Sequence, residues 1–314
     1  MRAVVLPSAD AAPRAADFPS PEAQPGEQEM TLVGAGVHQV VKALASGRHY
    51  GSTGAYPLVP GVDAVARTSA GDLVYTGFAR SPWGTMAEQM ATRVALPLPD
   101  GADPLAVAAG INPAMSGFLP LESHLEQRGE LATILALGAT GMAGRAAVQS
   151  ALALGASEVI AVGRDAEALS QLQDLGARAV SIADGTADLD AAVARSTPSL
   201  VLDFVWGPVA EAAFAAFRTH GLEDDQADIS YVQIGSLAGE DAAVPASVLR
   251  SRRITLRGSG AGSVSTEHLM TKLPRLIGMI ADGTIDVPYT AYPFSRVEEA
   301  WRHPGRDRAV VVPD

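Results

Sequence analysis

The chain has 314 residues, 47% of them hydrophobic, no cysteine and a formal net charge of −12. That length accommodates two modest domains with real cores; the acidic balance argues against a nucleic-acid partner, because phosphate binding needs a basic surface, and the missing cysteines exclude disulfides and thiolate zinc ligands. No stretch reads as long and apolar enough to span a membrane, and Met1-Arg2-Ala3-Val4-Val5 lacks a signal-peptide layout, so a cytoplasmic protein with no membrane partner is expected.

The first 110 residues are predicted to be rich in strands and turns, with Pro57, Pro60, Gly61, Pro82, Gly84, Pro97 and Pro99 punctuating short apolar runs. Residues 13–27 carry several prolines and charges and read as an irregular surface segment. The run 32–45 is ambiguous between strand and helix, and 72–75 reads as a short strand. From Asp103 the pattern changes. A helix is predicted over 104–121, with Asp103 suited to capping and Pro104 in the first turn, interrupted at Asn112-Pro113. Strands at 131–137, 159–162, 179–182, 200–204, 231–234 and 254–258 then alternate with helices at 143–154, 166–175, 189–196 and 208–218. That alternation predicts an α/β fold, with a doubly wound parallel sheet covered by helices on both faces. A helix at 266–281, with a possible kink at Pro274, and a last strand at 308–312 complete the chain.

The densest chemical signal lies between the first of those strands and its helix. Gly138-Ala139-Thr140-Gly141-Met142-Ala143-Gly144 is a glycine turn in strand–turn–helix order. Glycine there permits a tight turn, close approach of backbone N–H groups to a pyrophosphate, and close helix–strand packing. Ala139 stands where G-x-G-x-x-G has a glycine, and an ordinary tight turn is the competing reading. The next strand ends at Gly163-Arg164-Asp165, where an NAD site places a carboxylate on the ribose 2′-OH. Gly163 leaves room instead and Arg164 offers a planar fork for a 2′-phosphate, which favours NADPH over NADH. Arg164 as a merely solvated residue is the alternative, and Asp165 as an N-cap fits both.

Several ordered segments carry a wider resemblance: Pro57-Leu58-Val59-Pro60-Gly61-Val62-Asp63, Gly71-Asp72-Leu73-Val74 followed by Gly84-Thr85-Met86-Ala87-Glu88, Leu96-Pro97-Leu98-Pro99-Asp100-Gly101, the glycine turn, Leu175-Gly176-Ala177, Leu202-Asp203-Phe204-Val205-Trp206-Gly207, and Tyr292 through Ala300. Together they resemble the medium-chain dehydrogenase/reductase superfamily, in its zinc-free quinone-oxidoreductase-like branch. The resemblance implies a GroES-like, β-rich substrate domain over 1–110 and 265–314. It also implies an NADPH-binding Rossmann domain over 111–264 and dimerisation through the nucleotide domains. The zinc-binding branch is not matched. Its G-H-E segment is replaced by Pro60-Gly61-Val62-Asp63, and His38, His49, His124, His220, His268 and His303 show no paired ligand spacing.

Without a metal to hold an alkoxide, the hydride acceptor must delocalise charge, as a quinone or the C=C of an enone or enal does. Ser46-Gly47-Arg48-His49-Tyr50 falls where relatives carry polar residues facing nicotinamide or substrate. Tyr50 and His49 are therefore the candidate catalytic residues, each able to give a hydrogen bond or a proton to oxygen; an exposed surface turn is the competing reading. Asn112 and Ser116 flank Met115, which takes the place of a threonine in relatives, and are candidates for holding the nicotinamide; a helix kink capped by Asn112 is the alternative. The remaining cofactor candidates are Gly138, Ala139, Thr140, Gly141, Met142, Ala143, Gly163 and Arg164, with Gly235-Ser236 and Gly258-Ser259 ending two late strands. Trp83 and Trp206 border the substrate or simply pack, and Tyr56 packs. No Tyr-x-x-x-Lys pair exists, the only lysines being Lys42 and Lys272. The expectation is a zinc-independent, NADPH-dependent oxidoreductase acting on a quinone or activated alkene. A metal-free carbonyl reductase or alcohol dehydrogenase, and a non-catalytic NADPH-binding redox sensor, are the alternatives.

Overall fold

The computed structural model describes residues 1–218, 225 and 227–314. The chain divides into two compact units, Met1–Pro113 with Leu273–Asp314, and Ala114–Lys272. The first opens with β1 (Arg2–Val5), β2 (Arg14–Asp17) and β3 (Gln28–Gly36), then α1 (Gln39–Ala45), β4 (Asp63–Thr68), β5 (Leu73–Gly77), β6 (Gln89–Thr92) and β7 (Leu96–Pro97). α2 (Pro104–Arg128) leads into the second unit, which holds β8 (Thr133–Leu137), α3 (Met142–Ala153), β9 (Glu158–Gly163), α4 (Ala166–Asp174), β10 (Arg178–Ser181) and α5 (Ala187–Arg195). It continues through β11 (Leu200–Asp203), α6 (Gly207–Ala216), β12 (Ile229–Gln233), α7 (Ala246–Ser251) and β13 (Ile254–Gly258). α8 (Thr266–Ala281) returns the chain to the first unit, completed by β14 (Tyr289–Pro293), α9 (Val297–Trp301) and β15 (Arg308–Val312).

The second unit is built on a six-stranded parallel sheet in the order β10-β9-β8-β11-β12-β13. The chain runs outward from β8 to β10, then crosses back to β11 and runs outward the other way. The reversal lies between β8 and β11, where open α/β sheets bind ligands beyond the strand carboxyl ends. Helices on both faces explain why β8 and β9 are apolar and buried after their first residues, Thr133 and Glu158. Ile134, Ala136, Val159 and Ala161 pack into one layer, while Leu135, Leu137, Ile160 and Val162 pack into the other.

The first unit holds a mixed sheet in the order β14-β15-β3-β4-β5-β7, with β6 also on β3, and a small β1–β2 pair. Its core gathers Val4, Met30, Leu32, Val41, Ala64, Met86, Phe294 and Val311 from both ends of the sequence.

Four expectations change. The ambiguous run 32–45 is both things, the end of β3 followed by α1. The segment 13–27 contains β2, paired antiparallel with β1. α2 passes without a break through Asn112-Pro113 and Pro120 and runs to Arg128, so Asn112 is a mid-helix residue and not a cap. By length and composition α2 also passes as a membrane-spanning helix, against the sequence reading, but 67% of its most apolar window is buried inside the protein. α7 was not expected at all.

Candidate active site

The glycine turn leaves β8 at the switch point. Gly138 has φ 84°, a conformation side chains resist, and a Cβ there would press on Val205 Cγ1. The N–H groups of Gly138 and Ala139 donate to Val162 O at 3.0 and 2.9 Å, which ties the turn to the end of β9. A Cβ on Gly144 would collide with the carbonyl oxygen of Gly138, so the third glycine is what lets α3 sit against the turn. Gly141 is the N-cap of α3 and offers no side-chain cap; the first turn, with Met142 and Ala143, holds no acidic residue. An uncapped helix N-terminus carries unsatisfied N–H groups and positive potential, the complement of a phosphate. α4 contrasts with it, because Asp165 Oδ1 accepts from Ala168 N at 3.0 Å and closes that end.

At the end of β9, Gly163 lies so close to Thr140 that a Cβ there would strike the threonine side chain. Arg164 follows, exposed. Ser181, ending β10, is the register partner of Gly163. Across the switch, Gly235 packs where a Cβ would meet the Phe204 carbonyl oxygen, and its N–H donates to Asp203 O at 3.1 Å. Ser236 follows it, exposed. Gly258 closes β13, and Ser259 N donates to Gln233 O at 2.8 Å. The structure therefore gathers Gly138 to Ala143, Gly163, Arg164, Gly235, Ser236, Gly258 and Ser259 at the carboxyl edge of one sheet. Asn112 and Ser116 stand one turn apart on α2, both half-buried.

A buried pair that the sequence reading left unassigned braces this edge. Asp203, fully buried, accepts from Val205 N at 2.9 Å, Trp206 N at 2.8 Å and the Tyr231 hydroxyl at 2.6 Å. Burial raises the carboxyl pKa against the lowering effect of these three donors, and burial beside Asp203 raises that of the Tyr231 phenol. The two backbone donors hold Trp206 at φ 55°, unusual for a bulky residue. Its ring is half-buried and meets Phe214 and Tyr231 edge-on, so Trp206 packs within its own unit. Trp83 does likewise in the first unit, donating from Nε1 to Pro19 O at 2.9 Å beneath Arg80.

The catalytic candidates lie in the loop after α1. Tyr50 is 76% exposed, and its ring lies 4.0 Å from that of His49. His49 Nδ1 accepts from Gly51 N at 3.0 Å. The accepting nitrogen carries no proton, so Nε2 carries it and is the donor. Partial burial lowers the His49 pKa and favours this neutral form. Arg48 Nε turns back onto Ser46 Oγ at 3.0 Å, and the Tyr56 hydroxyl donates to Ala45 O at 2.7 Å. A second histidine, His38, is the N-cap residue of α1 and is 2% exposed. Its Nε2 lies 3.2 Å from Asp63 Oδ1, off the donor line, while the Tyr75 hydroxyl donates to Asp63 Oδ2 at 2.9 Å.

Residues 143–277 match the zinc-binding dehydrogenase family. A probable NADPH-dependent quinone reductase, tdiC, of Emericella nidulans is 26% identical over an alignment of 360 residues that spans the whole of both chains. The quinone oxidoreductase from Thermus thermophilus, solved also in complex with NADPH, is 25% identical with a TM-score of 0.79 over 99% of this chain and 100% of that one. A putative NADPH:quinone reductase from Bacillus thuringiensis, 14% identical, has the same fold with a TM-score of 0.81 over 100% and 99%.

Over its whole length the chain is thus similar to NADPH-dependent quinone reductases, and residues 143–277 match the zinc-binding dehydrogenase family.

The matched family's description names zinc, but the donor set of this chain does not fit that ion. The chain has no cysteine. Among the described residues no three His, Asp or Glu side chains converge; His220 lies outside them. His38 and Asp63 make a pair where a zinc site needs three or four ligands.

Proposed function

We propose that this reductase is a zinc-independent oxidoreductase that uses NADPH to reduce a quinone or an activated alkene. The observation that carries the reading is the carboxyl edge of the parallel sheet. An uncapped α3 follows a turn in which Gly138 and Gly144 leave no room for a side chain, and one strand away the ribose position holds Gly163-Arg164 in place of a carboxylate. The relatives that carry NADPH in their names support the same cofactor.

NADPH when bound supplies the hydride, and the acceptor takes that hydride and one proton, a quinone becoming a hydroquinone. The backbone N–H groups of residues 142 and 143 receive the diphosphate, and the Arg164 guanidinium receives the 2′-phosphate. Asn112, Ser116, Ser236 and Ser259 supply hydrogen bonds on the nicotinamide side. His49 gives a hydrogen bond from Nε2 to the acceptor oxygen, and Tyr50 stands beside it as the second donor. Met1–Pro113 with Leu273–Asp314 is the substrate domain in this reading, and Ala114–Lys272 the nucleotide domain. Two copies associate along β13, the outer strand of the parallel sheet, where Leu256 is 38% exposed.

The deciding experiment follows NADPH oxidation by absorbance with a benzoquinone, phenanthrenequinone, a cyclic enone, an enal and an aliphatic aldehyde, each with and without EDTA. Chelator-insensitive turnover of quinones or alkenes is expected. Turnover of the aldehyde alone would instead favour a carbonyl reductase, and binding of NADPH with no turnover would overturn the catalytic reading.

A further inference from the structure

Among the described residues, the unit formed by Met1–Pro113 and Leu273–Asp314 strongly exposes two large apolar side chains, Tyr50 at 76% and Phe78 at 57%. Both are aromatic, and they stand on neighbouring loops. Val59 N–H donates to Pro82 O at 2.9 Å, and the hydroxyls of Thr53 and Ser81 lie 3.5 Å apart, lacing the loop after α1 to the loop after β5. Phe78 directly follows β5, its N–H donating to Val62 O at 3.1 Å, and its φ is 61°. A left-handed backbone is a true outlier for a bulky aromatic residue, and such strain collects at positions that contact ligands. Packing does not explain the ring, which takes no part in the core of its unit. Beside Tyr50, His49 presents its Nε2 proton, so the same loop pair offers aromatic surface and a donor suited to a carbonyl oxygen.

We propose that Phe78 is a specificity-determining residue: with Tyr50 it forms an aromatic platform that selects fused-ring quinones over one-ring quinones. This rests on the reading of the chain as an NADPH-dependent reductase. The redox step is unchanged, one hydride from NADPH and one proton by way of His49 or Tyr50 converting quinone to hydroquinone; the platform acts on binding of the acceptor.

The test is Phe78→Gly, with Phe78→Trp beside it. Glycine takes a positive φ without penalty, so the variant should fold with a Tm within a few degrees of the parent. Steady-state NADPH oxidation is measured with phenanthrenequinone and with p-benzoquinone, and binding of phenanthrenequinone by equilibrium dialysis. The KM for phenanthrenequinone should rise about tenfold in Phe78→Gly, the scale of one lost aromatic contact. Its kcat and the benzoquinone KM should hold within about twofold, and Phe78→Trp should restore the parent KM. Equal shifts for both quinones, or none, overturn the proposal. If the parent protein reduces neither quinone, the functional reading falls, and dialysis decides separately: weaker phenanthrenequinone binding in Phe78→Gly keeps the platform, and unchanged binding removes it.

Discussion

Arg164 and His49 show how much one residue decides here. The Arg164 side chain is exposed at the end of β9, with glycine before it and its neighbour Asp165 engaged in capping α4. Arg164→Ala should weaken NADPH by about tenfold or more, the scale of a charge-assisted contact, and leave NADH nearly unchanged; fluorescence titration of both nucleotides reads this directly, and equal losses would refute the phosphate role. His49→Ala and Tyr50→Phe should each lower kcat with the best acceptor, together by about a hundredfold. If both leave turnover untouched, the proton comes from elsewhere. His38 predicts a different property. Burial depresses its pKa below the ordinary 6.5, with Asp63 opposing and Arg308 adding to the shift. The unfolded chain therefore takes up the proton first as pH falls, so stability present above about pH 6.5 is lost below it. Melting curves between pH 7.5 and pH 5 should show a Tm that drops on acidification, and His38→Asn should flatten that slope. His124, on α2, is depressed by burial too, beside Arg128 and Arg257 with Asp228 opposing, and with the partly buried His49 accounts for the slope that remains.

Among the elements, the parallel sheet was readable and the longest helix was not. Apolar runs of four to six residues alternating with helical stretches leave little choice of architecture, and the glycine turn was legible because a left-handed backbone at Gly138 and a backbone collision at Gly144 leave no place for side chains. α2 was misread because Pro113 removes one helical donor, which by local rules ends a helix. Contacts made by Ile111, Ala114 and Phe118, all fully buried, outweigh that loss. β2 escaped notice for a similar reason, since Arg14–Asp17 has no apolar alternation and exists through its pairing with β1. Partners far apart in sequence, His38 with Asp63 and Asp203 with Tyr231, carry no local pattern at all. The Asp203–Tyr231 pair is the brace between β11 and β12, and Tyr231→Phe would strip a buried carboxylate of its side-chain donor. Stability should fall by about 1–3 kcal/mol. Denaturant unfolding measures this, and a loss within error would mean the two backbone donors suffice.

For the whole molecule, the unit Ala114–Lys272 is one continuous stretch, while the other is assembled from the two ends of the chain. β15 is no edge decoration. It lies between β14 and β3, parallel to the first and antiparallel to the second, and Val310 and Val311 are fully buried. A ribosome must therefore release β3 to β7 as an open sheet that waits for a strand made more than two hundred residues later, after Ala114–Lys272 has had time to fold. Closing contacts at such separation is slow, and the waiting β3 edge is an adhesive surface until β15 arrives. The last strand thus acts as a completion signal: a chain cut just before Arg308 should keep a folded, dinucleotide-binding middle, yet behave in the cell as an aggregation-prone fragment cleared by proteases.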